Sequence, residues 1–281
     1  MAPTNIDDLP SEILIQILSP LTTLQVLPLA RINRRFHDLT LRIIHTRLTD
    51  AAWLPHHELI LECYHPSAKI STPYLHCDYL GTNGLEGYTE DEEKQLTLSQ
   101  MHNLYSRFRP VVQEENRRGR ARYPTASGSA QAGEDDLMAS VSVNLDDGEM
   151  FSQLCAVTNL VKTGPRRGLF LSHVNVNDGV VRVFRRWLAA KTATGTEGAS
   201  GVDPILWTDR HKTVGLKFRV QQENLDRRQP TLWADDDDPP VAYTLVYEEL
   251  VVRTSMLLLE VEKSEAQEVT STGKAIIIAS I

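Results

Sequence analysis

Apolar residues recur at helical spacing near the start of the chain and predict a first helix. They fall every three or four positions, as the buried side of a helix requires, at Ile13, Leu14, Ile17, Leu18 and Leu21. Pro10 suits the start of a helix, because the N–H that proline lacks has no helical partner there. Glu12 falls in the first turn, where a carboxylate interacts favourably with the helix dipole. Pro20 ends this helix.

The same spacing continues along the chain and predicts two further helices. Thr22 or Thr23 can cap the second helix. Pro28 is compatible with that helix only near its start or at a kink. The apolar positions then run on through Leu29, Ile32, Phe36, Leu39, Ile43, Ile44 and Leu48.

Residues 9–48 carry more apolar side chains than a unit of this size can bury. Nineteen of these 40 residues are Leu, Ile, Val, Phe or Ala. A unit of roughly 40 residues seldom buries enough surface to be stable alone. Ile15 adds apolar surface on a further side of the first helix. One side can therefore pack within the unit, and another is expected to contact a partner.

Two motifs within this segment resemble the F-box. The first is Leu9-Pro10-x-Glu12-Ile13-Leu14 followed by Ile17-Leu18, and the second is Leu29-Ala30-x-Ile32-Asn33-Arg34-Arg35-Phe36. They stand in the family's order and at its separation, and they cover about one sixth of the chain. Phe36 stands where the family more often has Trp, and Pro28 stands where a residue suited to the middle of a helix is usual.

The F-box resemblance implies that residues 5–48 form a three-helix unit that docks onto the Skp-type adaptor of a cullin–RING (Skp–cullin–F-box) ubiquitin ligase. It places these residues at the adaptor or in the unit's own interior, a choice that the sequence leaves open: Leu9, Pro10, Ile13, Leu14, Ile17, Leu18, Leu21, Leu29, Ile32 and Phe36. Residues 49–281 would then recognise a substrate protein and present it for ubiquitination. The alternative is that the helices only cap the domain behind them.

The rest of the chain is rich in strand patterns. Val214, Leu216, Phe218 and Val220 alternate strictly with Gly, Lys and Arg, which is the strongest strand pattern present. Other strands are predicted at 59–64, 74–80, 141–145, 151–161, 169–176, 180–184, 241–252, 256–261 and 274–280. Strands without alternating helices favour an α+β fold, in which the helical unit precedes a mainly antiparallel, sandwich-like β domain with one or two helices.

One helix, two turns and one insert complete the prediction. Thr97 and Gln100 form a candidate capping box, and the helix that they open is predicted to run through Leu98, Met101, Leu104, Tyr105 and Phe108 to Pro110. Asp147-Gly148 and Asp178-Gly179 predict two hairpin turns of one sheet. Residues about 113–137 are poor in apolar side chains and predict a disordered insert.

Charge, cysteine content and hydropathy limit the partners and the cellular compartment that we expect for the protein. The chain carries a net charge of −8 although residues 9–48 are basic, so the acidity lies in the remainder. The acidity of the remainder of the chain, which we call the body, argues against nucleic-acid binding. Three cysteines suggest a reducing compartment. The first residues lack a signal-peptide core, and no apolar run approaches the roughly 20 residues that span a bilayer. We therefore expect a cytoplasmic and/or nuclear protein without a membrane partner.

The chemistry-bearing residues indicate neither a metal site nor catalysis. Cys63 with His65, and His76 with Cys77, lack the spacing of a zinc site, and neighbours on one strand point to opposite faces. Asp235 to Asp238 lack the alternating ligands of a calcium loop. We expect no cofactor and no enzymatic activity.

Three tryptophans suggest a second interpretation of the body. Trp187, Trp207 and Trp233 could form an aromatic platform for a sugar or a peptide, although core packing is the stronger interpretation. The alternative function is therefore a β-sandwich binding module, lectin-like or peptide-binding, that acts outside any ligase.

Overall fold

The N-terminal segment folds into three helices, as predicted. The computed structural model describes residues 6, 9–70, 72–85, 96–112, 139–165, 169–193, 204–223, 239–270 and 276–277. The helices are α1 (Ser11–Leu18), α2 (Thr23–Val26), which continues as a 3-10 helix (Leu27–Arg31), and α3 (Arg34–Trp53). Helix α3 therefore extends five residues beyond the Leu48 boundary that the F-box resemblance implied.

Local hydrogen bonds explain where these helices begin. The Thr22 N–H donates to Gln25 Oε1 at 2.9 Å at the start of α2. Pro28 lies in the first turn of the 3-10 helix, where its missing N–H leaves no bond unmade. The second helix therefore continues through Pro28 as a 3-10 helix. The Phe36 N–H donates to Asn33 Oδ1 at 2.8 Å, so Asn33 caps α3.

In the part of the body that the structure describes, there are ten strands and three further helices. The strands are β1 (His57–Tyr64), β2 (Leu75–Thr82), β3 (Tyr105–Val111), β4 (Ser140–Leu145), β5 (Phe151–Thr163), β6 (Leu169–Phe184), β7 (Ile205–Trp207), β8 (Val214–Glu223), β9 (Val241–Arg253) and β10 (Ile276–Ile277). The helices are α4 (Leu98–His102), α5 (Arg185–Ala193) and α6 (Thr254–Thr270), and a short 3-10 helix covers Pro66–Ala68.

The pairs between the described strands are all antiparallel and form one curled sheet. The order is β10-β6-β5-β1-β2-β3-β9-β8-β7, and β4 pairs with the first half of β9. Asn177 Nδ2 on β6 donates to Thr208 Oγ1, just after β7, at 2.8 Å. Strands from the two ends of the strand order therefore approach each other, so the sheet curls into a barrel-like body. The predicted α+β class with a mainly antiparallel β body is confirmed.

The interior of the curled sheet is filled with side chains. Leu59, Leu160, Leu216 and Leu245 are among the fully buried residues of one continuous apolar cluster. Leu188 of α5 belongs to the same cluster, as do Leu257 and Val261 of α6. Helix α5 follows β6 at one end of the sheet, and α6 follows β9 at the other. Each helix closes one end of the core.

A buried hydrogen-bond chain fixes α6 to the sheet. His57 Nδ1 donates to the Pro55 carbonyl at 2.9 Å, so His57 Nε2 accepts from Ser264 Oγ at 3.0 Å. Ser264 Oγ also bonds Ser172 Oγ of β6. Burial lowers the pKa of His57, and burial likewise lowers the pKa of His45 on α3. Both imidazoles are therefore neutral in the folded chain.

This arrangement predicts that acid destabilises the fold. The unfolded chain takes up protons on these histidines near pH 6.5, whereas the folded chain resists protonation until lower pH. The contribution of these two histidines to the unfolding free energy is therefore fully present above about pH 6.5. It falls as the pH drops, by at most about 1.4 kcal/mol per pH unit for each histidine. Urea unfolding at pH 7, 6 and 5 measures the slope. His57→Gln should flatten it, and an unchanged slope would refute the assignment.

The predicted helix from Thr97 to Pro110 is wrong beyond its first turns. The capping box is present, but the helix ends at His102 and residues 105–111 form β3. Phe108 points into the barrel interior, and β3 pairs with β2 and β9. Pairing on both sides of β3 outweighs the local helical spacing.

The predicted strand at 256–261 is also wrong. Residues 254–270 form α6, and Leu257, Leu258 and Val261 are buried on its sides. A short apolar run has no period that separates a buried strand from a buried helix. The strands predicted within 59–64, 74–80, 141–145, 151–161, 214–220 and 241–252 are confirmed.

The two Asp-Gly pairs do not form two hairpins. At Asp147-Gly148 the chain turns with Gly148 at a φ of 72°, but β4 then pairs with β9 instead of β5. Asp178-Gly179 lies inside the continuous strand β6. A Cβ on Gly179 would lie 2.8 Å from Thr208 Cβ, so this glycine permits the approach of the residue after β7.

Some predicted features lie outside the described residues. They are the insert at 113–137, the acidic run at 235–238, Trp233 and most of the strand predicted at 274–280, of which Ile276–Ile277 pair with β6. Among the described helices, none has both the length and the apolar character needed to cross a bilayer.

Candidate docking surface on the N-terminal helices

Helix α1 is apolar on two sides, and only one of them is buried. Leu14 and Leu18, four residues apart, are 0% and 7% exposed. Ile13 and Ile17, also four residues apart, are 41% and 50% exposed. Pro10 precedes them on the same side and is exposed. Pro10, Ile13 and Ile17 therefore form a stripe that the chain itself leaves uncovered. We call these three residues the α1 stripe.

The structure separates the remaining predicted docking residues by burial. Leu18 and Phe36 pack with Val26 and Ile43 inside the three-helix unit, and Leu21 and Leu29 lie half-buried against them. Leu9 is half-buried, and its carbonyl accepts a hydrogen bond from the Arg35 guanidinium. Ile32 is 61% exposed. The side chains available to a partner are thus those of the α1 stripe and Ile32, with part of Leu9, Leu21 and Leu29.

Leu24 belongs to the exposed set although the sequence reasoning omitted it. Its side chain on α2 is 65% exposed, and Ile6 before α1 is 52% exposed. The sequence carried no clear signal for Leu24, because its exposure follows from the burial of Thr23 and Val26 on the same short helix, which the structure shows. An apolar residue between two inward positions of one turn must face elsewhere.

The other side of the three-helix unit packs against the body. Leu41, Ile44, Leu48 and Ala51 of α3 form a buried cluster with Met101 of α4 and Leu258 of α6. The body thus buries the second apolar side of α3. The outward stripe of α1 lies away from this contact.

A polar joint links α2 to α6 beside this cluster. Glu262 of α6 accepts from the Thr23 N–H through both carboxylate oxygens, each at 3.0 Å, and from Thr23 Oγ1 at 2.6 Å. The carboxylate therefore caps the start of α2. Arg47 of α3 pairs with the same carboxylate at 3.2 Å. Its guanidinium also donates to the carbonyls of Ser19 and Leu21, at 3.0 and 2.5 Å.

Removing the Glu262 carboxylate should weaken the contact between α6 and the N-terminal helices. Glu262→Ala leaves the Thr23 N–H without its acceptor and Arg47 without its ion-pair partner, and we expect the unfolding free energy to fall by about 1–3 kcal/mol. Glu260→Ala is the matched control, because the carboxylate of Glu260 pairs with Lys263 of its own helix at 3.1 Å. The control should cost at most about 1 kcal/mol. Equal urea midpoints for the two variants would show that the Glu262 contacts do not stabilise the fold.

The cysteine and histidine pairs lie apart. Cys63 is buried in the barrel, and burial raises the pKa of its thiol to about 12. Burial raises the pKa of Cys77 as well. His76 points away from Cys77 and pairs with Glu58 at 3.1 Å, and His65 bonds Ser67. Within the described ranges, no three His, Cys, Asp or Glu side chains form a group that could hold a metal ion.

The two described tryptophans of the suggested platform are at different ends of the barrel. Trp187 lies on α5 and packs partly on the core. Trp207 is on β7 beside Gly215, and its ring centroid is 5.5 Å from that of Tyr105. These two residues therefore do not share one binding surface.

Comparison with known proteins supports the assignment of the N-terminal segment. The family model described as F-box-like matches residues 6–49. A search of curated proteins found no match, and a search of solved structures found none. The chain thus carries an F-box-like domain at its N-terminal end. This domain indicates a ubiquitin-ligase role through a Skp-type adaptor.

Proposed function

We propose that the chain is the substrate-recognition subunit of a cullin–RING ubiquitin ligase. The observation that carries this proposal is the α1 stripe, an uncovered apolar surface inside the segment that matches the F-box-like model. Apolar side chains at i, i+3 and i+7 on one helix side are typical of helix–groove recognition. The stripe would contact the Skp-type adaptor, with Ile32 and Leu24 as further contacts.

The barrel-like body would supply the second half of this function. It would bind a protein substrate and hold its lysines near the charged ubiquitin carrier, so the chain contributes proximity and no chemical step. The His57–Ser264 pair is unsuited to catalysis, because Ser264 is fully buried and no substrate could reach it. We place the protein in the cytoplasm and/or the nucleus, where such ligases assemble.

The direct test is assembly with purified Skp-type adaptor. The intact chain mixed with adaptor should elute from size-exclusion chromatography as one complex and should then join the cullin–RING core. Separate elution at micromolar concentrations would overturn the proposal. In cells, proteins that accumulate when Ile13 and Ile17 are both replaced by aspartate, and that the intact chain captures, are the candidate substrates.

One observation favours a second candidate, a binding module whose helices only cap the body. Helix α3 does cover α4 and α6. Deletion of residues 1–48 does not separate the two candidates, because it would expose Met101 and Leu258 in either case. Adaptor binding does separate them, since a cap has no reason to bind an adaptor.

A further inference from the structure

An exposed apolar patch lies at the end of the barrel that α5 covers. Met150, Phe151 and Phe184 are 50%, 39% and 48% exposed. Phe151 and Phe184 face each other across β5 and β6, with ring centroids 5.6 Å apart. Trp187 follows on α5. We call these four residues the distal patch. Three large, partly exposed apolar side chains side by side on a protein surface are typical of an interaction site.

The distal patch borders an open cavity. Met150, Phe184, Arg186 and Trp187 line this cavity, which has a volume of about 460 Å³. A cavity of this size holds one or two side chains of a partner, and its lining is mostly apolar. A bound side chain would thus be desolvated by Met150, Phe184 and Trp187.

The backbone around the patch is held rigid by Arg185. Its side chain donates to the carbonyls of Asp146, Glu149 and Pro239, at 2.8, 2.8 and 2.7 Å. Its backbone N–H donates to the Met150 carbonyl at 2.9 Å. The turn before β5, the end of β6 and the chain entering β9 are therefore joined at one residue. Such preorganisation lowers the entropy cost of binding.

The charge around the patch is asymmetric. Residues 179–193 contain Arg182, Arg185, Arg186 and Lys191 and no acidic residue, in a chain of net charge −8. The Arg182 guanidinium lies 5.7 Å from the Phe151 ring centroid, and Lys191 Nζ lies 5.8 Å from that of Trp187. Arg182 and Arg186 are exposed at the rim. One side of the cavity is therefore basic.

The turn before β5 bears the opposite charge. It contains Asp146, Asp147 and Glu149, and the Glu149 carboxylate accepts the Asp146 N–H at 2.9 Å. An acidic partner would be repelled on this side and attracted on the side of Arg182 and Arg186. This asymmetry gives a bound segment a preferred direction.

We propose that the distal patch binds a protein segment in which an apolar side chain enters the cavity and adjacent Asp or Glu residues contact Arg182 and Arg186. The proposal rests on the proposed function in one respect, namely that this segment belongs to the ligase substrate. A nucleic acid would meet the same arginines, but the acidic body would repel its continuous phosphate charge.

Fluorescence anisotropy of labelled dodecapeptide pools on the intact chain tests this inference. One pool has Phe or Leu at the centre with Asp and Glu on its flanks. The second keeps the centre but has Lys and Arg flanks, and the third keeps the acidic flanks but has Ser at the centre. We expect the first pool to bind at least about tenfold more tightly than either control pool, with affinity falling as salt rises.

Variants connect the binding to the patch. Arg182→Glu with Arg186→Glu, and separately Met150→Ser with Phe184→Ser, should each weaken binding of the first pool about tenfold or more. Arg109→Glu with Arg210→Glu is the matched control, because both arginines are exposed and lie outside the patch. This control makes the same change in net charge and should leave the affinity within about twofold, because neither arginine lines the cavity or contacts the aromatic rings of the patch. Thermal melts check that each variant folds.

The outcomes separate this inference from the proposed function. Equal binding of the acidic and basic pools, or a loss in the control variant, overturns the acidic-segment assignment. Dimerisation that Phe184→Ser abolishes would identify a second copy of this chain as the occupant and would also overturn it. If the chain joins the adaptor but binds no peptide pool, only the patch proposal fails. If it binds the first pool but no adaptor, the ligase proposal fails.

Discussion

Replacing Ile13 and Ile17 together by aspartate is expected to weaken binding of the Skp-type adaptor by about a hundredfold or more. The two side chains are 41% and 50% exposed in the free chain and form the centre of the α1 stripe. Central apolar residues of an interface often cost about 1–3 kcal/mol each when lost, and a buried carboxylate adds a desolvation cost. The fold should persist, because neither side chain belongs to an internal cluster. Biolayer interferometry with immobilised adaptor gives the dissociation constants.

Two further variants of α1 make this result specific. Gln16→Ala changes an exposed polar position on the same helix and should keep wild-type affinity within about twofold, as expected for a residue outside the interface centre. Leu14→Ala removes a fully buried side chain and should lower the stability by about 2–5 kcal/mol. Undiminished adaptor binding by the double aspartate variant would remove the α1 stripe from the interface.

Truncating Leu48 to alanine is expected to destabilise the helices and the barrel together. Leu48 is 1% exposed and lies in the cluster that α3 shares with α4 and α6. Loss of a buried leucine costs about 2–5 kcal/mol, including the cavity left behind. Because α6 is in turn fixed to the sheet through Ser264 and Leu257, the loss should reach the whole chain.

The measurement is unfolding in urea, followed by far-UV circular dichroism and by tryptophan fluorescence. Both signals should shift to lower urea by the same amount and remain coincident, as one cooperative transition requires. Thr46→Ala is the control on α3, since its exposed hydroxyl bonds only the Arg42 carbonyl. Two separated transitions in Leu48→Ala would mean that the helices and the barrel fold independently.

The parts of the fold that were predictable are those whose signal is local. The three N-terminal helices follow from regular spacing and from caps such as Thr22. The strand β8 follows from strict alternation of apolar and polar residues. The outward stripe was predictable only in part. An α1 that is apolar on more than one side was predicted, but the further side was assigned to Ile15, which packs partly buried inside the three-helix unit. Ile13 and Ile17 face outward instead.

The predictions that were wrong concern segments whose structure depends on contacts with residues far away in the sequence. Phe108 fits a helical pattern with Leu104, yet pairing with β2 and β9 makes its segment a strand. Leu257 and Leu258 belong to a run that suits a strand, yet the space between the sheet and α3 requires a helix there. Glu262 gives no sign in the sequence that it caps α2, since the contact joins residues 239 positions apart.

That separation has a consequence for how the protein is made. Thr23 leaves the ribosome early, but its capping carboxylate follows 239 residues later. At a synthesis rate of about 5–20 residues per second, the delay is on the order of ten to fifty seconds. During this interval Leu41, Ile44 and Leu48 have no Leu258 to cover them. The N-terminal segment therefore exposes this apolar surface, to which chaperones can bind, until the end of the barrel has been synthesised.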